Sequence, residues 1–196
     1  MKRRSVLMFA AVLACAAPAM RPVSALAQAQ QPEGSPAQRE ALRRLSWMDG
    51  EWRGTATVTV GMGRTLELRH TERIGPMLGG SIKVIEGHSY GEDGTTAFNA
   101  LAIVSWDEEK DGFVMRSYAN GMAIDVRLEA TETGFDWTVP AQGGEVRYHT
   151  RFENGVWTES GEFVMPDREP MRVIEMRLTR TGDSDWPAAG AVTPAP

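Results

Sequence analysis

From Gly50 to Thr181 the chain alternates short β-branched and aromatic runs with turn residues. One turn falls roughly every 10–12 positions, as an all-β sandwich or barrel requires. The turns are chemically explicit: Gly61-Met62-Gly63, Glu92-Asp93-Gly94, Asp111-Gly112, Asn120-Gly121, Thr133-Gly134, Gly143-Gly144 and Asn154-Gly155 all contain residues that tolerate positive φ. Gly75-Pro76 through Gly79-Gly80 makes a wider loop, and Pro166 to Pro170 another. These breaks separate ten strand-like runs: 51–60, 64–74, 81–90, 95–107, 112–120, 122–132, 134–140, 145–153, 156–165 and 169–181. Every link is hairpin-short, which implies an up-and-down meander, because a Greek-key return needs a longer connection. A flat meander of this size would expose two long edges. Closure into a ten-stranded antiparallel barrel over 50–181 is therefore expected.

Ahead of the strands the pattern changes. Residues 28–36 are polar and contain Pro32, Gly34 and Pro36, as a linker does. Ser35 is placed to cap a short helix with Pro36 at its first position, and the helix is expected over 37–48. Its narrow apolar stripe of Ala41, Leu42 and Leu45 suits the end of the barrel. The tail 182–196 is rich in Gly, Ala, Pro and Asp and is expected to be disordered.

Residues 1–27 read as an export leader. Lys2, Arg3 and Arg4 precede an apolar stretch from Val6 to Ala17 that is too short to span a bilayer, and Ala25-Leu26-Ala27 offers a cleavage site. Arg3-Arg4 also fits a twin-arginine leader loosely, so the export route stays open. The expected location is periplasmic or secreted. Val12-Leu13-Ala14-Cys15 offers the alternative of a lipid anchor through Cys15, the single cysteine. Cleavage after Ala27 leaves no cysteine, hence no disulfide framework and no thiolate metal site. Removing the leader's four basic residues (Lys2, Arg3, Arg4 and Arg21) leaves 17 Lys+Arg against 26 Asp+Glu, a formal charge of −9. That balance argues against nucleic acid and anionic membranes as partners, and no transmembrane span is expected in the mature chain.

Four segments together carry a family resemblance: Trp47-Met48-Asp49-Gly50-Glu51-Trp52, Ile74-Gly75-Pro76-Met77-Leu78-Gly79-Gly80, Phe98-Asn99-Ala100-Leu101 and Arg116-Ser117-Tyr118-Ala119. Over most of Leu45 to Thr181 the chain resembles a bacterial domain-of-unknown-function family, number 1579. The resemblance implies a calycin-like barrel and no agreed activity. Gly50-Glu51-Trp52 is similar to the Gly-x-Trp that lipocalins and other calycins carry at the first strand, where the indole plugs the closed end. There a basic residue of the last strand covers that indole; Arg177 and Arg180 are the two candidates here.

The chemistry-bearing residues are few. Gly87-His88-Ser89-Tyr90-Gly91 matches a Gly-x-Ser-x-Gly nucleophile elbow, but such an elbow needs a helix directly after it, and a turn and another strand follow instead. In the second strand Leu66, Leu68, His70, Glu72 and Ile74 share one face, plainly the inner one. In the third, Ile82 and Val84 share a face with Glu86, His88 and Tyr90. With the intervening loop centred near Met77-Leu78, His70 lies opposite Glu86, and Glu72 and His88 lie diagonal to them. This inward cluster admits three readings: a self-satisfied polar network, an anchor for a ligand head group, or a metal site. A one-residue slip of register dissolves it.

Arg116 and Tyr118 share a face of the fifth strand, an Arg-x-Tyr that resembles the way fatty-acid-binding barrels hold a carboxylate. The bland alternative pairs Arg116 with Asp125 or Glu129 of the next strand. Some calycin barrels bind haem through one histidine; His149 faces away from Val146, Tyr148 and Phe152, toward solvent, and His70 and His88 each have a carboxylate two residues away. Asp107 to Gly112 superficially resembles a calcium loop but has Tyr118 where a glutamate is needed. No cofactor is named by any of this. The expectation is an exported barrel that binds a small apolar or carboxylate ligand, with a non-catalytic structural or interaction domain as the alternative. An enzyme built on His70, Glu72, Glu86 and His88 ranks third.

Overall fold

The computed structural model describes residues 34–187; the leader, most of the linker and the last residues of the tail lie outside them. Ser35 caps α1 (Pro36–Arg43) as its spacing implies. Its hydroxyl accepts from the Gln38 N–H and the Gln38 side chain accepts from the Ser35 N–H, closing a capping box ahead of Pro36. The helix stops earlier than expected, and Ser46–Met48 forms a separate 3-10 turn. Ala41, Leu42 and Leu45 are all buried, with α1 packed against the third and fourth strands.

Ten antiparallel strands follow: β1 (Gly50–Val60), β2 (Arg64–Met77), β3 (Ile82–Tyr90), β4 (Thr96–Asp107), β5 (Gly112–Ala119), β6 (Met122–Ala130), β7 (Gly134–Ala141), β8 (Gly144–Glu153), β9 (Val156–Val164) and β10 (Met171–Gly182). Each pairs with its sequence neighbours, and β1 pairs with β10 from Trp52↔Arg180 to Val58↔Ile174, so the sheet is a closed barrel. Closure satisfies the backbone groups that two edges would otherwise expose.

One end is plugged by aromatic rings. Trp52 is fully buried, donates from Nε1 to the Met48 carbonyl at 2.7 Å, and meets Trp157 and Phe152 edge-on at 5.5 and 5.8 Å. Trp47 stacks on Phe152 at 5.1 Å. Such tilted contacts suit the ring quadrupoles and add to the area buried. Arg180, in register with Trp52, donates from Nε to the Asp49 carbonyl and closes over Gly50, while Arg177 pairs with Thr55 on the outer face. Of the two candidate covers, Arg180 is the one at the plug.

Two features of the wall differ from the sequence reading. Strand β2 does not end at Ile74 but runs through Gly75-Pro76 to Met77. Proline is tolerated because β1 reaches only as far as Ile74, leaving one side of Pro76 without a ladder. The chain reverses over Leu78 to Ser81, with Leu78, Gly79 and Gly80 at φ of 51°, 65° and 86°. At the other end of the chain, the residues after β10 return to the outside of β2. The Trp186 carbonyl sits where a side chain on Gly75 would be, and Arg73 lies 4.5 Å over the Trp186 ring. The part of the expected tail up to Pro187 is therefore placed against the barrel.

The wall is also uneven. Strands β6 and β7 share only the three pairs Leu128↔Trp137, Glu129↔Asp136 and Ala130↔Phe135, next to the plugged end. Toward the open end they part, and Pro140 of β7 has no N–H to offer across the gap. Truncating the plug tests how far it holds the barrel: Trp52→Ala is expected to lower unfolding stability by about 3 to 5 kcal/mol. Urea unfolding followed by far-UV circular dichroism measures it, and a loss below about 1 kcal/mol would contradict the assigned role.

Candidate functional site

The register of β2 on β3 decides what faces the lumen. Because the reversal is centred between Gly79 and Gly80, His70 pairs with Ser89, Glu72 with Gly87 and Arg73 with Glu86. The expected pairing of His70 with Glu86 is off by three residues. An odd shift exchanges the faces of β3. Glu86 and His88 therefore lie on the outer wall, and the expected four-residue cluster does not exist. The error has a physical origin: Ile82-Lys83-Val84-Ile85 carries apolar residues on both faces, so the strand shows no clean alternation. Lys83 is the inward one, 2% exposed at the plugged end and ion-paired with Asp49. Burial pulls its pKa down, against the pull of Asp49.

His70 and Glu72 do face inward, and other partners meet them there. Ser89 Oγ lies 2.7 Å from His70 Nδ1, and His70 Nε2 lies 3.0 Å from Glu72 Oε1. The Glu72 carboxylate lies over Gly87, where a Cβ would sit 2.6 Å from Oε1, so only glycine leaves room for it. From the other side of the barrel comes Glu159 of β9, which accepts from Thr150 Oγ1 at 2.7 Å. Tyr148 lies over Gly161, again in space that a Cβ would fill, and stacks on Trp137 at 3.9 Å. The Trp137 indole N–H is turned toward Glu159, yet no acceptor meets it in hydrogen-bonding geometry; Glu72 Oε2 is likewise buried and unpaired.

Electrostatics follow from this placement. Burial is the main cause that raises the pKa of Glu159, with Glu72 adding to it, while Thr150 and Trp137 work against it. Tyr148 is pushed up to about 12 by burial and then by Glu159. On the outer wall the hydrogen bond from Arg73 holds Glu86 below the ordinary carboxylate range. That pair is partly exposed and contributes no more than about 1 kcal/mol.

The line Ser89–His70–Glu72 has the partners of a hydrolytic triad, and Ser89 is the serine of the apparent elbow. Acyl transfer also needs N–H donors aimed at an oxyanion. Ser89 sits within a strand paired on both sides, where backbone N–H groups serve the two ladders. The arrangement is a hydrogen-bond relay. Among the described residues no three His, Cys, Asp or Glu side chains converge to hold a metal ion.

The remaining expected site residues lie outside. Arg116 and Tyr118 are on the outer face of β5, opposite the inward Phe113 and Met115. Arg116 donates to Tyr118 Oη at 2.9 Å and to Asp125 at 3.0 Å. The carboxylate clamp is thereby overturned and the wall ion pair stands in its place. Glu86, His88, Leu101 and Tyr118 line an open outer groove of about 600 Å3. His149 also faces outward, 3.2 Å from Asp136.

Above the polar cluster the lumen wall is apolar. By register Val58, Leu66, Ile124, Val139, Phe163 and Ile174 all point inward, and each retains accessible surface. Glu159 and Tyr148 lie deep in the protein and still retain some. Inward side chains are buried at the plug and keep accessible surface toward the open end.

Fold and site thus define a ten-stranded antiparallel barrel with a plugged end and a polar patch inside. The crystal structure of Rv2717c from M. tuberculosis is similar to it: TM-score 0.58, 12% identity, covering 76% of this chain and 99% of that one. At that identity the likeness concerns the fold alone. No protein-family model matches the sequence, and no curated protein matches it either. In the described residues no helix is long and apolar enough to cross a membrane.

Glu159 makes a testable pH dependence. Its carboxyl holds a proton more tightly folded than unfolded, so both states are protonated at low pH and the group then has no effect. As pH rises through the ordinary carboxylate range toward the raised pKa, the unfolded state loses its proton first and stability falls. Glu159→Gln removes this slope. Urea unfolding between about pH 5 and about pH 8 is expected to show wild type losing stability relative to the variant; parallel profiles would contradict the burial of Glu159.

Proposed function

We propose that this chain is an exported carrier or binding barrel that holds a small, partly apolar molecule in its lumen. The observation that carries this reading is the accessible surface on inward side chains, from the apolar upper wall down to Glu159 and Tyr148. A barrel filled by its own side chains would bury the deeper of them, Glu159 and Tyr148, completely. The pocket has the composition that small-molecule sites share: apolar walls with a few placed polar groups, here His70, Glu72 and Glu159. The parted upper halves of β6 and β7 offer a way in from the side, beside the open end. Export rests on the leader-like residues 1–27, and the resemblance to domain-of-unknown-function family 1579 agrees with the barrel. Neither names the ligand.

A second reading, a protein-interaction domain, is favoured by the outer groove, where Leu101 and Tyr118 are 38% and 42% exposed. Protein purified gently from its own host and examined by native mass spectrometry separates the two. A retained small molecule, released by solvent extraction, is expected. Empty barrels from repeated preparations would count against the carrier reading. Retention is further expected to fall at least about tenfold in His70→Ala and to be unchanged in Glu86→Gln and Arg116→Ala. The reverse pattern would move the site to the outer wall.

A further inference from the structure

We propose that the head group held at the polar patch is a protonated amine carried on an apolar chain. This rests on the lumen reading and deepens it. The patch brings two carboxyls, Glu72 and Glu159, to the same space as one imidazole, His70. No arginine or lysine of the middle wall turns toward them: Arg116, Arg127, Arg147 and Arg151 lie on outer faces by register, and Lys83 is held at the plug by Asp49. A carboxylate head group at the patch would therefore face carboxyls with no guanidinium to receive it; Arg64, on the same face of β2, lies at the open end.

One unmet acceptor points the same way. Glu72 gives one oxygen to His70, while the other is buried and accepts from nothing. Buried acceptors in native proteins are almost always paired, so a donor is missing at that atom. Only glycine at position 87 leaves room for the carboxylate against the wall of β3. Glu159 supplies a second acceptor surface across that space, and the Trp137–Tyr148 pair lines it with aromatic faces. Carboxylates beside aromatic rings are the surroundings an ammonium prefers, through charge-assisted hydrogen bonds and attraction to the ring quadrupole. An ammonium has three donors for these acceptors; a hydroxyl has one. The apolar upper wall, from Ile174 and Val58 to Phe163, then takes a hydrocarbon chain.

The test compares three probes of equal chain length on the mature protein, below their micellar concentrations: dodecylamine, dodecanol and dodecanoate. Isothermal titration calorimetry near neutral pH is expected to rank them in that order, with the amine at least about tenfold tighter than the alcohol. In Glu72→Gln, which keeps the shape of the side chain, the amine's advantage is expected to disappear while dodecanol binding stays within about twofold of wild type. The wild-type ranking stands as a test by itself should the variant fail to fold. Dodecanoate binding as tightly as the amine would overturn the inference, as would a ranking unaffected by Glu72→Gln. In either case binding of the alcohol would leave the lumen reading intact. If none of the three binds, and an uncharged apolar dye does not bind either, the lumen reading falls too.

Discussion

A wall closed on itself gives each side chain two choices, lumen or outside, and the parity of each hairpin makes the choice. In this protein the constraint is strictest at the reversal between β2 and β3. Leu78, Gly79 and Gly80 all adopt positive φ there, which places the turn beyond Pro76. His70 is thereby set against Ser89, and Glu72 over Gly87. Lengthening or shortening that turn by one residue would shift the register by one, send Glu86 and His88 into the lumen and leave the present inner patch without partners.

The barrel itself was legible because turn chemistry is local. Asn120-Gly121, Gly143-Gly144 and Asn154-Gly155 each announce a hairpin without reference to the rest of the chain, and the structure turns at all three. Ser35, Pro36 and Gln38 announced the helix start for the same reason. The plug was readable through Gly50 and Trp52, but choosing Arg180 over Arg177 needed the β1–β10 register, which pairs Trp52 with Arg180 and Thr55 with Arg177.

The site was legible only in half. His70 and Glu72 follow from the alternation of β2, where apolar residues hold one face alone. In β3 both faces are apolar near Val84, since the returning segment at Trp186 covers the outside of Gly75, the partner of Val84. Alternation there does not say which way is in. Glu159 was missed although a signal existed: Trp157, Glu159, Gly161 and Phe163 share a face, and a buried tryptophan at one end of that face places the glutamate inside. Lys83 gave no such signal, because its partner Asp49 lies outside the sheet, in the turn before β1.

The proposed lumen and the polar groups on its wall account for each other. Two carboxyls and an imidazole within a filled core would be costly unless every oxygen and nitrogen were paired; around a lumen they have room for a partner. Experimental electron density between Glu72 and Glu159, from crystals of protein purified from its own host, tests that most directly. Density for a molecule or ordered waters within hydrogen-bonding distance of Glu72 Oε2 is the result expected. Side chains from opposite walls meeting across the barrel, with that oxygen bonded to the protein, would contradict it.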